Sequence, residues 1–118
     1  MPVINQAELQ KMIGGDEDLL SDLAIMFVKL LPDLESRIRF GIENHDSAEV
    51  ESSAHQLKSR ISYFGAAELR DCAGQLELAA RKGQPKQFAS LGAELFQGVE
   101  QLIEELRVLT NLSLEMEA

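Results

Sequence analysis

The stretch AEVESSAHQLKSRISYFG, residues 48–65, shows most clearly how this chain folds. At roughly 100° per residue, five of its apolar side chains share one face of a helix. They are Val50, Ala54, Leu57, Ile61 and Phe64. His55 lies on the opposite face, among polar side chains. The pattern predicts an amphipathic helix that buries its apolar face and exposes His55 to solvent.

Turn and capping residues set the limits of this helix and of the segments before it. Asp46 or Ser47 can cap its start, and Gly65 suits its C-terminal end. Nearer the N-terminus, a short helix around residues 7–13 ends where Gly14 and Gly15 interrupt the chain. Asp16 can then cap a helix whose apolar stripe is Leu20, Leu23, Phe27, Leu30 and Leu31. We expect this helix to stop before Pro32, because proline cannot donate the backbone hydrogen bond.

Apolar residues at helical spacing continue through the rest of the chain. Asp33 is expected to open a helix that carries Leu34, Ile38 and Ile42. Beyond Gly65, the next stripe consists of Leu69, Cys72, Ala73, Leu76 and Ala80, and it ends near Lys82 and Gly83. Pro85 permits a new helix start. The last helix repeats at a period near 3.5, with Phe88, Leu91, Leu95, Leu102, Leu106 and Leu109.

Length and composition agree with a single helical domain. The chain has 118 residues, of which 45% are hydrophobic and only 5% aromatic, a balance that favours helices over sheets. We predict an all-α protein, an antiparallel (up-and-down) four-helix bundle with an additional short N-terminal helix. Residues 1–118 form one domain, with a core of about residues 5–108 and a frayed tail over residues 110–118.

Charge and cysteine content exclude several classes of protein. The 20 acidic residues against 11 basic ones give a net charge of −9, which repels nucleic-acid phosphates and anionic lipid headgroups. We therefore expect neither nucleic-acid nor membrane binding. Cys72 is the only cysteine, so an internal disulfide is impossible, and the N-terminus lacks the pattern of a signal peptide. A reducing cytoplasm is the expected location.

The residues around His55 are the best candidates for chemistry. The chain has no glycine-rich phosphate loop, no GxSxG and no metal-ligand spacing, which argues against a self-sufficient enzyme. Around His55, Glu51 lies one turn before, Lys58 and Ser59 one turn after, and Ser62 beyond. A solvated polar face is the ordinary interpretation. However, an exposed imidazole can attack an activated phosphoryl group. Glu51 could orient the ring, although its charge would also favour the protonated form.

Several motifs around this histidine resemble those of the histidine phosphotransfer (HPt) domain family. They are GGDEDLL (14–20), AHQLKS (54–59), YFGAAEL (63–69), LE (76–77) and ARKG (80–83). The resemblance covers about residues 5–108. It implies a four-helix bundle with a phosphoryl-accepting histidine, here His55, and an assisting lysine, Lys58. Glu77 and Arg81 match polar positions that can face the histidine, or they are ordinary surface charges.

The resemblance also implies partners and a mode of action. A phosphocarrier of this kind exchanges phosphoryl groups with response-regulator receiver domains or a hybrid sensor histidine kinase. It needs no cofactor, because the receiver brings the acidic Mg²⁺ pocket and the carrier has no ATP site. Since the chain starts at Met1 and ends soon after the last helix, we expect a free-standing monomeric carrier. Apolar residues for docking are expected around Leu9, Met12 and Ile13, unless that helix packs as a lid.

One departure from the family pattern leaves alternatives open. The family usually has Gly directly after the lysine, whereas this chain has Ser59-Arg60-Ile61. The Ser59 hydroxyl could hinder an approaching receiver or donate a hydrogen bond to the phosphoryl group. A module that binds a receiver or kinase without transferring phosphate is the second hypothesis. A helical assembly protein with an incidental His55 is the third.

Overall fold

The computed structural model describes residues 1–114, and within that range it is all helical. The five α-helices are α1 (Gln6–Ile13), α2 (Glu17–Glu43), α3 (Ser47–Ile61), α4 (Ala67–Arg81) and α5 (Phe88–Thr110). Short 3₁₀ turns, Ser62–Phe64 and Pro85–Gln87, precede α4 and α5. The predicted fold class, an all-α helical bundle with a short additional N-terminal helix, is confirmed. None of the helices in residues 1–114 is both long and apolar enough to cross a bilayer.

The four long helices form a closed ring around one core. α2 packs on α3, α3 on α4, α4 on α5, and α5 returns to α2. The side chains that meet at the centre include Leu31, Ile38, Leu57, Ile61, Leu76, Leu95, Leu102 and Leu106. α3 runs antiparallel to both of its neighbours. For α4 this is shown by the pairs Glu51–Arg81 and His55–Glu77, in which the residue number rises along α3 as it falls along α4. The full up-and-down order, which the short connections favour, stays a prediction.

Two of the predicted caps, Asp16 and Asp46, begin their helices as expected. The Asp16 carboxylate accepts a hydrogen bond from the Leu19 N–H at 2.9 Å, and Asp46 accepts one from Glu49 at 3.1 Å. Each satisfies a backbone donor that has no partner within its own helix. At the end of α1, Gly14 adopts the left-handed conformation that was expected of a break. Local capping chemistry therefore decides where these helices start and stop.

The predicted break at Pro32 is wrong, because α2 runs without interruption from Glu17 to Glu43. Asp33 consequently caps no helix. A proline inside a helix costs about 3 kcal/mol, since it removes one hydrogen bond and crowds the preceding turn. Leu31 and Leu34, on either side of it, are both buried in the core, and each such burial contributes about 1.5–3 kcal/mol. Tertiary packing on both sides of Pro32 outweighs the local cost.

The chain after α5 also departs from its prediction. Leu114 is buried, and its carbonyl accepts a hydrogen bond from Nε of Arg107 at 2.7 Å. The expectation of a frayed tail is therefore wrong as far as Leu114. Its last part, residues 115–118, lies outside the described residues.

Helix α1 covers one end of the bundle as a lid. Leu9 and Ile13 are buried, and only Met12 of the three predicted docking residues is half exposed. Gly65 makes this close packing possible. Its φ is +67°, and a Cβ atom there would lie 2.8 Å from the Leu9 backbone nitrogen. The Asn5 N–H donates to the Gly65 carbonyl at 3.0 Å, which ties the lid to the end of α3.

We predict that Gly65→Ala lowers the free energy of unfolding by at least about 2 kcal/mol, because the side chain meets both an unfavourable φ and fixed backbone atoms. Gly83→Ala is the matched control. Gly83 has nearly the same φ, +66°, but open space around it, so only the conformational penalty of about 1 kcal/mol remains. Urea unfolding of both variants measures the difference. An equal decrease in the free energy of unfolding for both variants would show that α1 does not pack closely against Gly65.

Candidate functional site

His55 lies on the outer face of α3, as its helical phase predicts. Its side chain is 58% exposed, whereas the five residues of the predicted apolar stripe are all buried. The imidazole is therefore held by a helix that is anchored in the core, yet it contributes little to that core.

The buried carboxylate of Glu77, on α4, contacts the imidazole ring of His55. Glu77 is only 5% exposed. Its Oε2 lies 2.8 Å from Nδ1 of His55, and its Oε1 lies 2.6 Å from Nζ of Lys58. Nη2 of Arg81, one turn along α4, donates to Oε2 at 3.3 Å. Glu77, Arg81, His55 and Lys58 thus form one connected cluster across the α3–α4 interface.

The cluster keeps Glu77 ionised. Burial by itself raises the pKa of Glu77, but the hydrogen bonds and positive charges of Lys58 and His55 outweigh that effect, and the net result is a lowered pKa. A buried carboxylate is costly unless donors surround it. Here three side chains from α3 and α4 supply those donors.

The ionised carboxylate determines which nitrogen of His55 carries the proton. A carboxylate can only accept hydrogen bonds, so Nδ1 of His55 must be the donor to Glu77. In the neutral ring, Nε2 then holds the free lone pair. Nδ1 is engaged with buried Glu77 and more than half of the side chain is exposed. Such an arrangement can present the Nε2 lone pair to an electrophile that approaches from solvent.

Of the other predicted site residues, only Glu51 joins this cluster, and it contacts Arg81 rather than His55. Its Oε2 accepts from Nε of Arg81 at 3.0 Å. The hypothesis that Glu51 orients the ring is therefore wrong, because Glu77 occupies Nδ1 and Glu51 is paired with Arg81. Ser62 donates to the Ser59 carbonyl at 2.5 Å, so its hydroxyl is directed to the backbone. Ser59 itself is exposed one turn after His55.

Arg37 of α2 lies on the other side of the same helix face, and sequence reasoning did not identify it as a neighbour of the site. Its Nε donates to Glu49 of α3 at 2.6 Å, and its Nη2 donates to Ser52 at 3.4 Å. Arg37 also lies 3.9 Å from the carboxylate of Asp33, one turn before it in α2. It thus joins α2 to α3 beside the candidate site.

Two residues that the sequence set aside keep their ordinary roles. His45 is exposed in the loop between α2 and α3, at φ +51°. Cys72 is half-buried against the core, as expected. Burial, with a smaller contribution from the charge of Glu94, raises the pKa of its thiol, so the unreactive protonated form is favoured.

A cavity of about 890 Å³ lies away from this cluster, at the end of the bundle covered by α1. Its walls include Met12, Ser62, Arg70 and Val108, but none of the residues that contact Glu77. A large cavity is the usual first choice for a small-molecule site. A side chain that reacts with a group on another protein instead needs an exposed position, as His55 has. Within residues 1–114, no three His, Cys, Asp or Glu side chains are grouped so that they could hold a metal ion.

Comparison with known families agrees with this geometry. A family model described as the Hpt domain matches residues 19–109, from the first turns of α2 to the end of α5. The chain belongs to the Hpt domain family. Hpt domains are phosphocarrier modules that work with receiver domains and kinases in phosphorelays. The matched range of this Hpt domain spans the positions of His55, Lys58 and Glu77. Searches of curated proteins and of solved structures gave no match.

The cluster predicts a pH-dependent stability. The pKa of Glu77 in the folded protein is below its ordinary value of 4.5. Its ionised form therefore favours folding above that value, and this contribution is lost as pH falls through the lowered pKa. We expect Glu77→Gln to reduce the free energy of unfolding by about 1–3 kcal/mol near neutral pH and by less near pH 3. Urea unfolding at both pH values tests this, and an equal loss at each would contradict it.

Proposed function

We propose that this Hpt domain accepts a phosphoryl group on Nε2 of His55 from the aspartyl phosphate of a receiver domain, and passes it to another receiver. The observation that carries the proposal is the hydrogen bond between Nδ1 of His55 and buried Glu77. It holds the ring in the tautomer in which exposed Nε2 has a lone pair. The same geometry serves both directions of transfer, because each direction uses the same nitrogen.

The transfer step follows from this geometry. The Nε2 lone pair attacks phosphorus and forms an N–P bond, while the bond from phosphorus to the aspartyl oxygen breaks and leaves a carboxylate. The ring gains positive charge, since Nδ1 keeps its proton. Glu77 faces that proton at 2.8 Å and stabilises the charge as it develops, in the manner of a carboxylate behind a catalytic histidine. The receiver supplies the metal and the leaving group.

Lys58 is the second residue to which we assign a role. Its ammonium group donates a hydrogen bond to Glu77, the carboxylate that also contacts His55. The Lys58 side chain is 33% exposed. A cation held one helical turn from the nucleophile can attract the phosphoryl oxygens in the transition state. Glu77 thus positions both the nucleophile and the cation.

The remaining residues of the surface have docking roles in this proposal. Glu51, Ser59, Ser62, Glu77 and Arg81 surround the nucleophile, and we assign to the exposed members among them contacts with the rim of the receiver. We place the monomer in the cytoplasm, where a free cysteine such as Cys72 is kept reduced.

We predict that His55→Gln abolishes transfer but leaves the bundle folded, because the exposed ring contributes little buried surface. The measurement is transfer of radiolabel from phosphorylated receiver domains, with circular dichroism for folding. In the wild type, the label should be labile to acid and stable to base, as phosphohistidine is. His45→Gln is the control and should keep full transfer. Label that persists in the His55 variant would contradict the assignment, and tight receiver binding without any label on the wild type would favour a non-transferring module.

We predict that Lys58→Ala slows single-turnover transfer by about tenfold to a thousandfold, because a cation is lost next to the developing phosphoryl charge. Folding should survive, since Glu77 keeps His55 and Arg81 as partners. Lys86→Ala, which removes an exposed lysine in the turn before α5, is the control for the change in net charge. Equal rates for the two variants would remove Lys58 from the transition state.

A further inference from the structure

The cavity of about 890 Å³ at the end of the bundle is a groove with three walls. The walls are the N-terminal segment with α1, the start of α4 and one end of α5. Its lining residues on α5 are Gln101, Glu104, Glu105, Val108 and Leu109. At roughly 100° per residue they fall on one face of that helix, over a length of about 12 Å. We call this cavity the end groove.

Hydrogen bonds hold the N-terminal wall of the end groove in place. The N–H groups of Val3 and Ile4 donate to the Glu105 carboxylate of α5 at 2.7 and 2.8 Å, and Ile4 is buried. The Asn5 N–H donates to the Gly65 carbonyl at 3.0 Å, just before α1 begins. The end groove therefore belongs to the folded structure and is not a gap beside an unattached segment.

Exposed apolar side chains line the end groove. Val108 is 76% exposed, Met12 50% and Leu109 38%, and all three are among its lining residues. Single exposed apolar residues are normal on a soluble protein, whereas several around one concave site mark a binding surface. The volume is also within the range of about 300–1,000 Å³ that is typical of ligand sites. The end groove thus offers apolar contact to a ligand that fills it.

The rim of the end groove is acidic. Glu8, Glu68 and Glu104 are exposed and line it, together with Glu105. Arg70 is the single basic side chain among the described residues that line the groove. Glu8 and Glu104 each pair with a basic residue of their own helix, but such exposed pairs contribute little, so an incoming cation can replace the partner. Apolar walls with an acidic rim favour a ligand that is both apolar and basic.

We propose that the end groove binds a basic amphipathic helix of a partner protein. Apolar side chains at positions i, i+4 and i+7 of such a helix span about 10.5 Å, which fits the length of the groove, and flanking lysines or arginines then reach the acidic rim. A second copy of this chain is a poor occupant, because it carries the same net charge of −9. This site is separate from the one in the proposed function, since no residue that contacts Glu77 lines it. Its N-terminal wall also precedes residue 19, where the match to the Hpt family model begins.

The test measures binding of a designed peptide by fluorescence anisotropy. The probe is a fluorescein-labelled peptide of about four helical turns, built from alanine and lysine, with three leucines at i, i+4 and i+7 and lysines on both sides of them. The control peptide has the same composition, but its leucines lie on different faces. We expect the wild type to bind the probe with a dissociation constant of roughly 10–100 μM, because an isolated short helix must be ordered on binding. The control peptide should bind at least about tenfold more weakly.

Matched double variants locate the binding. Glu104→Gln/Val108→Gln removes one acidic and one apolar side chain from the end groove. Phe40→Gln/Glu43→Gln makes the same kind of change near the end of α2, at the opposite end of the bundle, where both side chains are exposed. We expect the groove variant to weaken binding of the probe about tenfold or more and the other variant to stay within about twofold of the wild type. Circular dichroism checks that both variants fold.

Three results would overturn the proposal. The first is no binding of the probe at about 1 mM. The second is equal binding of the two peptides, or an equal loss in the two double variants, because general attraction to an acidic protein would then explain the binding. The third is a wild-type dimer in sedimentation that the groove variant dissociates, since a second copy would then occupy the groove. None of these measurements uses phosphoryl transfer, so the proposed function of His55 is tested separately.

Discussion

The buried carboxylate of Glu77 is the interaction on which the site depends. Removing a charged group from water is costly, and only nearby donors make the cost tolerable. Those donors are His55 and Lys58 of α3 and Arg81 of α4. The requirement fixes how α3 and α4 pack at this level of the bundle. It also fixes the tautomer of His55 and the position of Lys58, so the burial of Glu77 and the orientation of the imidazole have a common cause.

A helical bundle suits the role that we propose for His55. The core-facing residues of α3 are fully buried, so the backbone under His55 is rigid. The imidazole is nevertheless exposed, and it lies on a convex helix face rather than in the cavity at the end of the bundle. Sites on regular elements are more precisely positioned than sites on loops. Packing of α3 in the core fixes the position of His55, and the place of His55 on the outer face of α3 leaves its side chain accessible.

The sequence predicted those parts of the molecule that are decided by one helix at a time. The phase of His55 against Val50 and Leu57, and the caps at Asp16 and Asp46, depend only on local spacing and are confirmed. The choice between Glu51 and Glu77 as the partner of Nδ1 could not be made in this way. Glu51 is one turn away in the same helix, whereas Glu77 is 22 residues away, and only the packing of α3 on α4 decides between them.

The errors have the same origin. Pro32 breaks an isolated helix, but buried neighbours on both sides hold α2 together. Leu114 follows the last helix without any helical pattern, and only its burial and the contact with Arg107 reveal that the chain is fixed there. The apolar pattern of α1 is equally compatible with a docking surface or a lid. In each case tertiary contacts, which a single sequence does not display, overrode a sound local rule.

The paired charges around His55 also bear on the energetics of a reversible carrier. In the proposed function, the phosphohistidine must be stable enough to persist yet able to return its phosphoryl group. Lys58 and Arg81 already contact carboxylates at 2.6–3.3 Å. Each must weaken such a contact before it can bind a phosphoryl oxygen, so the gain is partly offset. A site with unpaired cations would bind the phosphoryl group more tightly and retain it. Interactions that strengthen only in the transition state accelerate transfer without trapping the product, and the shared carboxylate of Glu77 keeps the ground-state stabilisation small.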